Sequence, residues 1–398
     1  MYKILSLDGG GSWSILQLLM LKEKHGNISG HELLKHYDLV IANSGGSIVL
    51  AALCENLKLS EAQNLFDNGV FLKQVFSKTK WRERFFPTDY LGLFGSIGPK
   101  YSTKRKKEAF ENTFSEVNKR QMAELPEWIG KPELKIMVAT YDALNNRAKF
   151  FKSFHKGDGP FDSVKLTQAI NGSSNAPIQY FDFPTRFKTQ ETDVFYELWD
   201  GALGGFNNPI AAGICEALKL GVPAKEIHVI SLGTARKVMS MEDKNIFWKV
   251  KQVALGFKGK KLRLGKLKAQ LSFFKMTVIN QAKTIIYEPP DWANYVSMML
   301  LLQNDLTDVE KRIVRISPFI HLTEGNNSGI MEDLYKMDMD LTEDQEIQKL
   351  YKCYALFKSG KIHNQPLDYK ISRNNELIFK RGHRSFNEAL IQWNSIMD

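Results

Sequence analysis

The chain has 398 residues, 43% of them hydrophobic and 25% charged, with 54 Lys and Arg against 44 Asp and Glu for a formal net charge of +10. That composition belongs to a globular protein and excludes disordered and collagen-like chains. The three cysteines, Cys54, Cys215 and Cys353, are far apart and odd in number. They argue against a disulfide framework and for a reducing compartment. No apolar run approaches the roughly 20 residues of a membrane span.

Residues 2–7 read as a strand that runs into Asp8-Gly9-Gly10-Gly11-Ser12 and then a helix over 13–24. Three successive glycines leave backbone N–H groups uncovered at a helix N-terminus, where they can bind developing negative charge as an oxyanion hole does. The other reading is a tight strand-to-helix connection and nothing more. A dinucleotide site would need G-x-G-x-x-G, and Ser14 stands where the third glycine is required. Because a core strand is already under way at residue 3, no cleavable signal peptide is expected, and the location is read as cytoplasmic.

A second apolar strand, over 38–42, breaks at Asn43-Ser44-Gly45-Gly46-Ser47 into an apolar helix over 45–57. This A-x-S-x-G pattern is one methyl away from G-x-S-x-G, the sharp strand-to-helix turn that pushes a nucleophilic serine out of a sheet edge. Small residues around a serine also occur in ordinary turns. A mixed aromatic and basic stretch reaches to about residue 100, and an amphipathic helix follows over 103–122. Next come strands over 134–139 and 149–154, a helix near 164–171 and a strand over 194–198 that ends in Trp199-Asp200-Gly201-Ala202. Asp-Gly is a common turn pair, yet an aspartate closing an apolar strand before glycines can also face a neighbouring loop. A helix over 208–218 and a strand over 227–232 complete an alternation that implies a mainly parallel sheet covered on both faces.

In this order and at these spacings, the segments resemble the patatin-like phospholipase family. Asp8 to Gly11 matches its oxyanion-hole motif, Ala42-Asn43-Ser44-Gly45-Gly46 its nucleophile elbow, and Asp200-Gly201-Ala202 its aspartate motif. Ala169 to Pro177, Asn207-Asn208-Pro209 and Ser231-Leu232-Gly233-Thr234 look like further pieces of the same family. The resemblance covers residues 1–235. It implies a three-layer α/β/α fold with a mainly parallel central sheet and a helical or mixed C-terminal extension. The division expected is an acyl hydrolase domain over 1–320 and an extension of unknown role over 321–398. Departures from the family pattern are Ala42 and Ser47 for glycines, Trp13 where Arg or Lys is usual, and Ser14 for a further glycine.

The chemistry that the resemblance implies uses two residues. Ser44 Oγ attacks an acyl ester carbonyl, Asp200 takes its proton, and the N–H groups of Gly9, Gly10 and Gly11 hold the oxyanion. No cofactor and no metal are needed. His31 and His36 miss the H-E-x-x-H spacing by one residue, and Ser77-Lys78-Thr79-Lys80 has no S-D-N partner. The substrate expected is a glycerophospholipid cleaved in phospholipase A fashion. A neutral-lipid or lysolipid esterase, a transacylase, and a catalytically retired membrane-binding protein are the alternatives.

From Lys244 to Tyr287 there is no acidic residue, and Lys258, Lys260, Lys261 and Arg263 alternate with apolar residues. A cationic amphipathic run of this kind is attracted to an anionic membrane surface, which makes the protein a candidate for peripheral membrane association. The opposing reading is the solvated face of a core helix. Nucleic acid is not an expected partner, since no reading motif accompanies the charge. A protein activator is not readable. Helices over 305–312, 340–358 and 386–396 and strands within 367–379 fill the rest.

Overall fold

The computed structural model describes the chain except for residues 68, 80–98, 156–163, 178–179, 190–193, 240–288, 303–304, 323–328, 373–375 and 398. Lys258, Lys260, Lys261 and Arg263 lie outside the described residues.

One eight-stranded sheet organises the molecule. Its strands are β1 (Tyr2–Leu7), β2 (Leu39–Ala42), β3 (Lys135–Asp142), β4 (Arg147–Lys152), β5 (Thr185–Lys188), β6 (Phe195–Asp200), β7 (Ile227–Leu232) and, past the short β8 (Arg236–Met239) of a second sheet, β9 (Ile313–Ile316). The order is β5-β6-β3-β2-β1-β7-β9, with β4 also on β3. Pairings from β3 through β2, β1 and β7 to β9 are parallel, while β4, β5 and β6 are joined by antiparallel pairings. The principal helices are α1 (Ile15–His25), α2 (Ser44–Cys54), α3 (Thr103–Thr113), α4 (Leu166–Ser173), α5 (Ile210–Lys219), α6 (Asp344–Lys358) and α7 (Phe386–Met397).

The continuous apolar runs of β1 and β2 follow from burial on both faces. Leu5, Leu7, Val40 and Ala42 join a core with α1, α2 and α6, whereas Ile4, Leu39 and Ile41 point the other way, onto Ile210, Ile214 and Ala217 of α5. These two cores on opposite faces make the three-layer α/β/α arrangement. Helix α2 is buried along its whole length, Ser44 and Ser47 included.

The chain after residue 312 returns to the same body. β9 completes the edge of the central sheet, and Ile347, Leu350, Phe357, Phe386 and Trp393 pack in the core that holds Leu16 and Met20. The amphipathic helix expected over 103–122 instead stops at Thr113, where Phe114 takes ψ 56° and buries its ring 5.8 Å from that of Phe71. A short helix over Ser115–Asn118 follows.

Strand pairing fixes where the site forms. β4 occupies one edge of β3 along Met137–Asp142, while on the other edge β2 pairs with Lys135–Val138 and β6 with Thr140–Asp142. β6 therefore takes over β3 at the point where β2 ends. Ala42 lies opposite Val138 and Asp200 opposite Thr140, so the residues that follow β2 come out beside Asp200.

Candidate active site

Ser44 follows Asn43, an extended residue that caps α2, and takes φ 47°. A left-handed backbone is uncommon for serine and carries strain of about 1–3 kcal/mol. The surroundings hold it there. The Ser44 N–H donates to Ser173 Oγ at 2.8 Å, and Ser47 Oγ donates to the Ser44 carbonyl at 2.6 Å. Ser47, the departure from glycine, thus supports the elbow. A Cβ on Gly46 would sit 2.5 Å from the Leu7 carbonyl oxygen, so the elbow demands glycine at 46, while Ala42 keeps its methyl fully buried in the core.

Asp200 is 3% exposed and Ser44 6%. Asp200 Oδ1 accepts from Asn43 Nδ2 at 3.1 Å and from the Ala202 N–H at 2.9 Å. Burial pushes its carboxyl above the ordinary range, and hydrogen bonding from Ser44, Ala202 and Asn43 together with the charge of Lys106 opposes that rise. Ser173 donates to Asn43 Oδ1 at 3.3 Å, which closes a chain from the Ser44 backbone through Ser173 and Asn43 to the Asp200 carboxylate. No histidine occurs among the described hydrogen-bond partners of Ser44 and Asp200, nor in the pocket beside them.

The glycine-rich loop lies against this pair. A Cβ on Gly9 would fall 3.0 Å from Ser44 Cβ. The Gly9 N–H, however, donates to the Asn207 carbonyl at 2.8 Å, and the Gly9 carbonyl accepts from Thr234 Oγ1 at 2.6 Å. Among the described residues no acceptor engages the N–H of Gly10 or Gly11. Gly11 has φ 58°, and a Cβ there would meet the Met339 carbonyl oxygen at 2.3 Å. Asp8 anchors the loop from below: its two carboxylate oxygens accept from Arg315 Nη1 at 2.9 Å and Nη2 at 2.5 Å. Burial raises the Asp8 pKa, and Arg315 works against it.

A segment remote in sequence covers the loop. Ser12 N–H and Oγ donate to the carbonyls of Met339 and Leu341 at 2.9 and 2.7 Å, and Trp13 Nε1 donates to the Asp338 carbonyl at 2.9 Å. From the opposite side Tyr180 and Tyr101 donate their hydroxyls to Asp338 and Asp340, each at 2.5 Å. Beneath this strap a small pocket, partly open to solvent, reaches Ser44 between Gly11, Ile48, Val75, Phe76, Ala176, Phe181 and Met339. Its walls are mostly apolar.

The structure brings Ser44, Asp200 and the Gly9–Gly11 loop together. Residues to which the sequence assigns no catalytic role are Asn43, Lys106, Tyr101, Ser173, Tyr180 and Met339. Asn43 and Ser173 lie inside the quoted motifs, so their signal was at hand. Among the described residues no cluster of His, Cys, Asp and Glu could hold a metal ion, and no helix is long and apolar enough to cross a membrane.

In comparisons with known proteins, no curated protein matches. Among solved structures, VipD from Legionella pneumophila is similar at 11% identity and a TM-score of 0.37, over 88% of this chain and 67% of that one. A sequence model of the patatin-like phospholipases matches residues 5–214, more than half of the chain. The matched span holds the glycine-rich loop, the serine elbow and the aspartate turn, and the chain belongs to this family of lipid acyl hydrolases, the patatin-like phospholipases.

Proposed function

We propose that the protein hydrolyses fatty acyl esters of glycerophospholipids, in phospholipase A fashion, by a Ser44/Asp200 dyad. The observation that carries this reading is the buried Asp200 carboxylate, which meets the side chains of Ser44 and Asn43 at the strained elbow. Ser44 Oγ attacks the ester carbonyl while Asp200 accepts its proton. Burial raises the proton affinity of Asp200, which a carboxylate needs in order to act as base toward a hydroxyl.

The tetrahedral oxyanion is received by the N–H groups of Gly10 and Gly11, because Gly9 donates to Asn207. Asp200 returns the proton to the leaving alcohol. Water, deprotonated by the same carboxylate, then releases the fatty acid. The apolar walls formed by Ile48, Val75, Phe76 and Phe181 suit an acyl chain leading away from the carbonyl.

The test is labelling with a fluorophosphonate followed by turnover of a lipid panel. Wild type labels at Ser44 and releases fatty acid, also in the presence of a chelator. Ser44→Ala and Asp200→Asn each lose activity by a factor of about 10³ or more, and the two losses do not add, since nucleophile and base act as one unit. Substantial turnover by Asp200→Asn would sink the dyad. Release of fatty acid from lysolipid or triacylglycerol alone would move the substrate class.

A further inference from the structure

Lys106 is fully buried on α3, in the first turns of a helix, where the macrodipole disfavours a cation. No carboxylate forms an ion pair with it among the described residues. Its Nζ instead contacts the Asn171 carbonyl at 2.8 Å, Asn175 Oδ1 at 2.9 Å and Ser174 Oγ at 3.3 Å, and stands 4.1 Å from the centre of the Phe181 ring.

All three partners act as acceptors toward it. A carbonyl can only accept. Asn175 has its orientation fixed, because its Nδ2 donates to the Phe183 carbonyl at 2.7 Å, and Ser174 spends its own proton on the Ile170 carbonyl at 2.7 Å. Three acceptors require three N–H donors, and only the ammonium form of lysine has three. Phe181 adds a ring face, which favours a cation.

The same residues lead to the catalytic base. Asn175 accepts the Asp200 N–H on its carbonyl at 3.1 Å, so the residue that holds Lys106 also holds the backbone of Asp200. Burial draws the Lys106 pKa well below the ordinary lysine value, and the charges of Asp200 from β6 and of Asp182 oppose that fall; the Asp182 carboxylate is engaged by the N–H groups of Thr103 and Phe183 at 2.9 Å each. Toward Asp200, Lys106 is the charged side chain that opposes the effect of burial.

We propose that Lys106 is a positioning residue: a buried ammonium, locked by Asn171, Ser174 and Asn175, whose charge keeps Asp200 ionised and ready to take the Ser44 proton. This rests on the dyad reading above. Burial raises the proton affinity of Asp200, the hydrogen bonds from Ser44, Ala202 and Asn43 and the charge of Lys106 oppose that rise, and removal of the cation takes one of the opposing influences away.

The experiment is the pH dependence of kcat/KM for a soluble short-chain ester in Lys106→Met and Lys106→Arg, expressed per site labelled by fluorophosphonate. The acid limb of that profile reports the base of the free enzyme. In Lys106→Met the limb moves to higher pH, so kcat/KM falls about tenfold on the acid side and recovers on the alkaline side. KM is little changed, and Lys106→Arg returns the limb toward wild type. A loss uniform across pH, or an unmoved limb, overturns the proposal and leaves Lys106 a packing residue.

If Lys106→Met fails to fold and does not label, the wild-type Nζ resonance decides, by lysine-selective ¹⁵N labelling with assignment from Lys106→Arg. An ammonium throughout the acid limb supports the proposal, and a neutral amine overturns it. Failure of the dyad reading looks different, since Asp200→Asn would then keep substantial turnover.

Discussion

Arg315→Met tests what holds the glycine-rich loop. All five N–H donors of Arg315 are used: Nη1 on Asp8 and Ser231 Oγ (2.7 Å), Nη2 on Asp8 and Gln365 Oε1 (2.9 Å), and Nε on Gln365 at 3.2 Å. The methionine fills similar space and donates nothing. It leaves Asp8, 2% exposed and directly before Gly9, without its counter-charge. Breaking a buried pair on one side costs about 3–5 kcal/mol. Against a total of about 5–15 kcal/mol this is a large share.

The loss should depend on pH in a defined sense. Without Arg315, burial acts unopposed on Asp8 and raises its folded-state pKa further above the unfolded value. A group raised in this way favours folding below its unfolded pKa, and that contribution is lost as pH rises through the folded one. The deficit relative to wild type is therefore smallest in acid and grows toward neutral pH. Asp8→Asn/Arg315→Met, with no charge left to bury, should recover part of it. Guanidinium unfolding followed by tryptophan fluorescence at several pH values is the assay, with ester turnover measured beside it. A single variant within about 0.5 kcal/mol of wild type at neutral pH would refute the buried-pair account.

Histidines set a second pH dependence. Burial lowers the pKa of His25, His31, His36, His228, His321 and His383, His25 to about 3, in a site where its ring stacks on His36 at 5.2 Å and meets Trp393 edge-on. Their unfolded forms bind protons first, so the stability they confer is complete above about pH 6.5 and is lost as pH falls toward 3. His25 alone should contribute a loss of about 2 kcal/mol by pH 5; urea midpoints that stay constant from pH 7 to 5 would contradict this. Replacing Lys258, Lys260, Lys261 and Arg263 by glutamine should weaken sedimentation with anionic vesicles and slow hydrolysis of vesicle phospholipid, with a soluble ester still cleaved near the wild-type rate. Added salt should mimic the change, since screening acts over about 8 Å at physiological ionic strength, and unchanged vesicle binding would make the run a solvated surface.

The elbow was legible because its requirements are local. A buried strand, a serine and small residues on either side all fall within one short segment, while the constraint on Gly46 comes from the neighbouring strand β1 and the loop that follows it, through the carbonyls of Leu7 and Asp8. Asp200 was legible for the same reason, at the end of β6. Lys106 was not, because it stands in an unbroken run of four cations, Lys104, Arg105, Lys106 and Lys107, and nothing local sets one of them apart. In the fold Lys104 and Lys107 are exposed, and α3 turns Lys106 alone inward. The break at Phe114 was hidden too, since the pull on that ring comes from Phe71, on a different helix.

Trp13 shows what a single position cannot reveal. Read against the family pattern, it is the loss of a cation beside the glycine-rich loop. In the fold the ring is buried, its Nε1 reaches the Asp338 carbonyl across 325 residues of sequence, and Lys237 Nζ lies 4.1 Å from its centre while donating to the Met337 carbonyl at 2.6 Å. A positive charge is thus still present near the loop, supplied from β8 and seated on an aromatic face. An Arg at 13 would be a poor tenant of that place: it would meet Lys237 as a like charge and lose the ring on which the ammonium rests. The strap from Met337 to Leu341 is what this substitution serves, because the same backbone that accepts from Trp13 and Lys237 accepts from Ser12 and closes on Gly11. The glycine-rich loop is therefore held from two sides by the C-terminal part of the chain, through Arg315 below and the strap above, and the departure at position 13 belongs to that bracing.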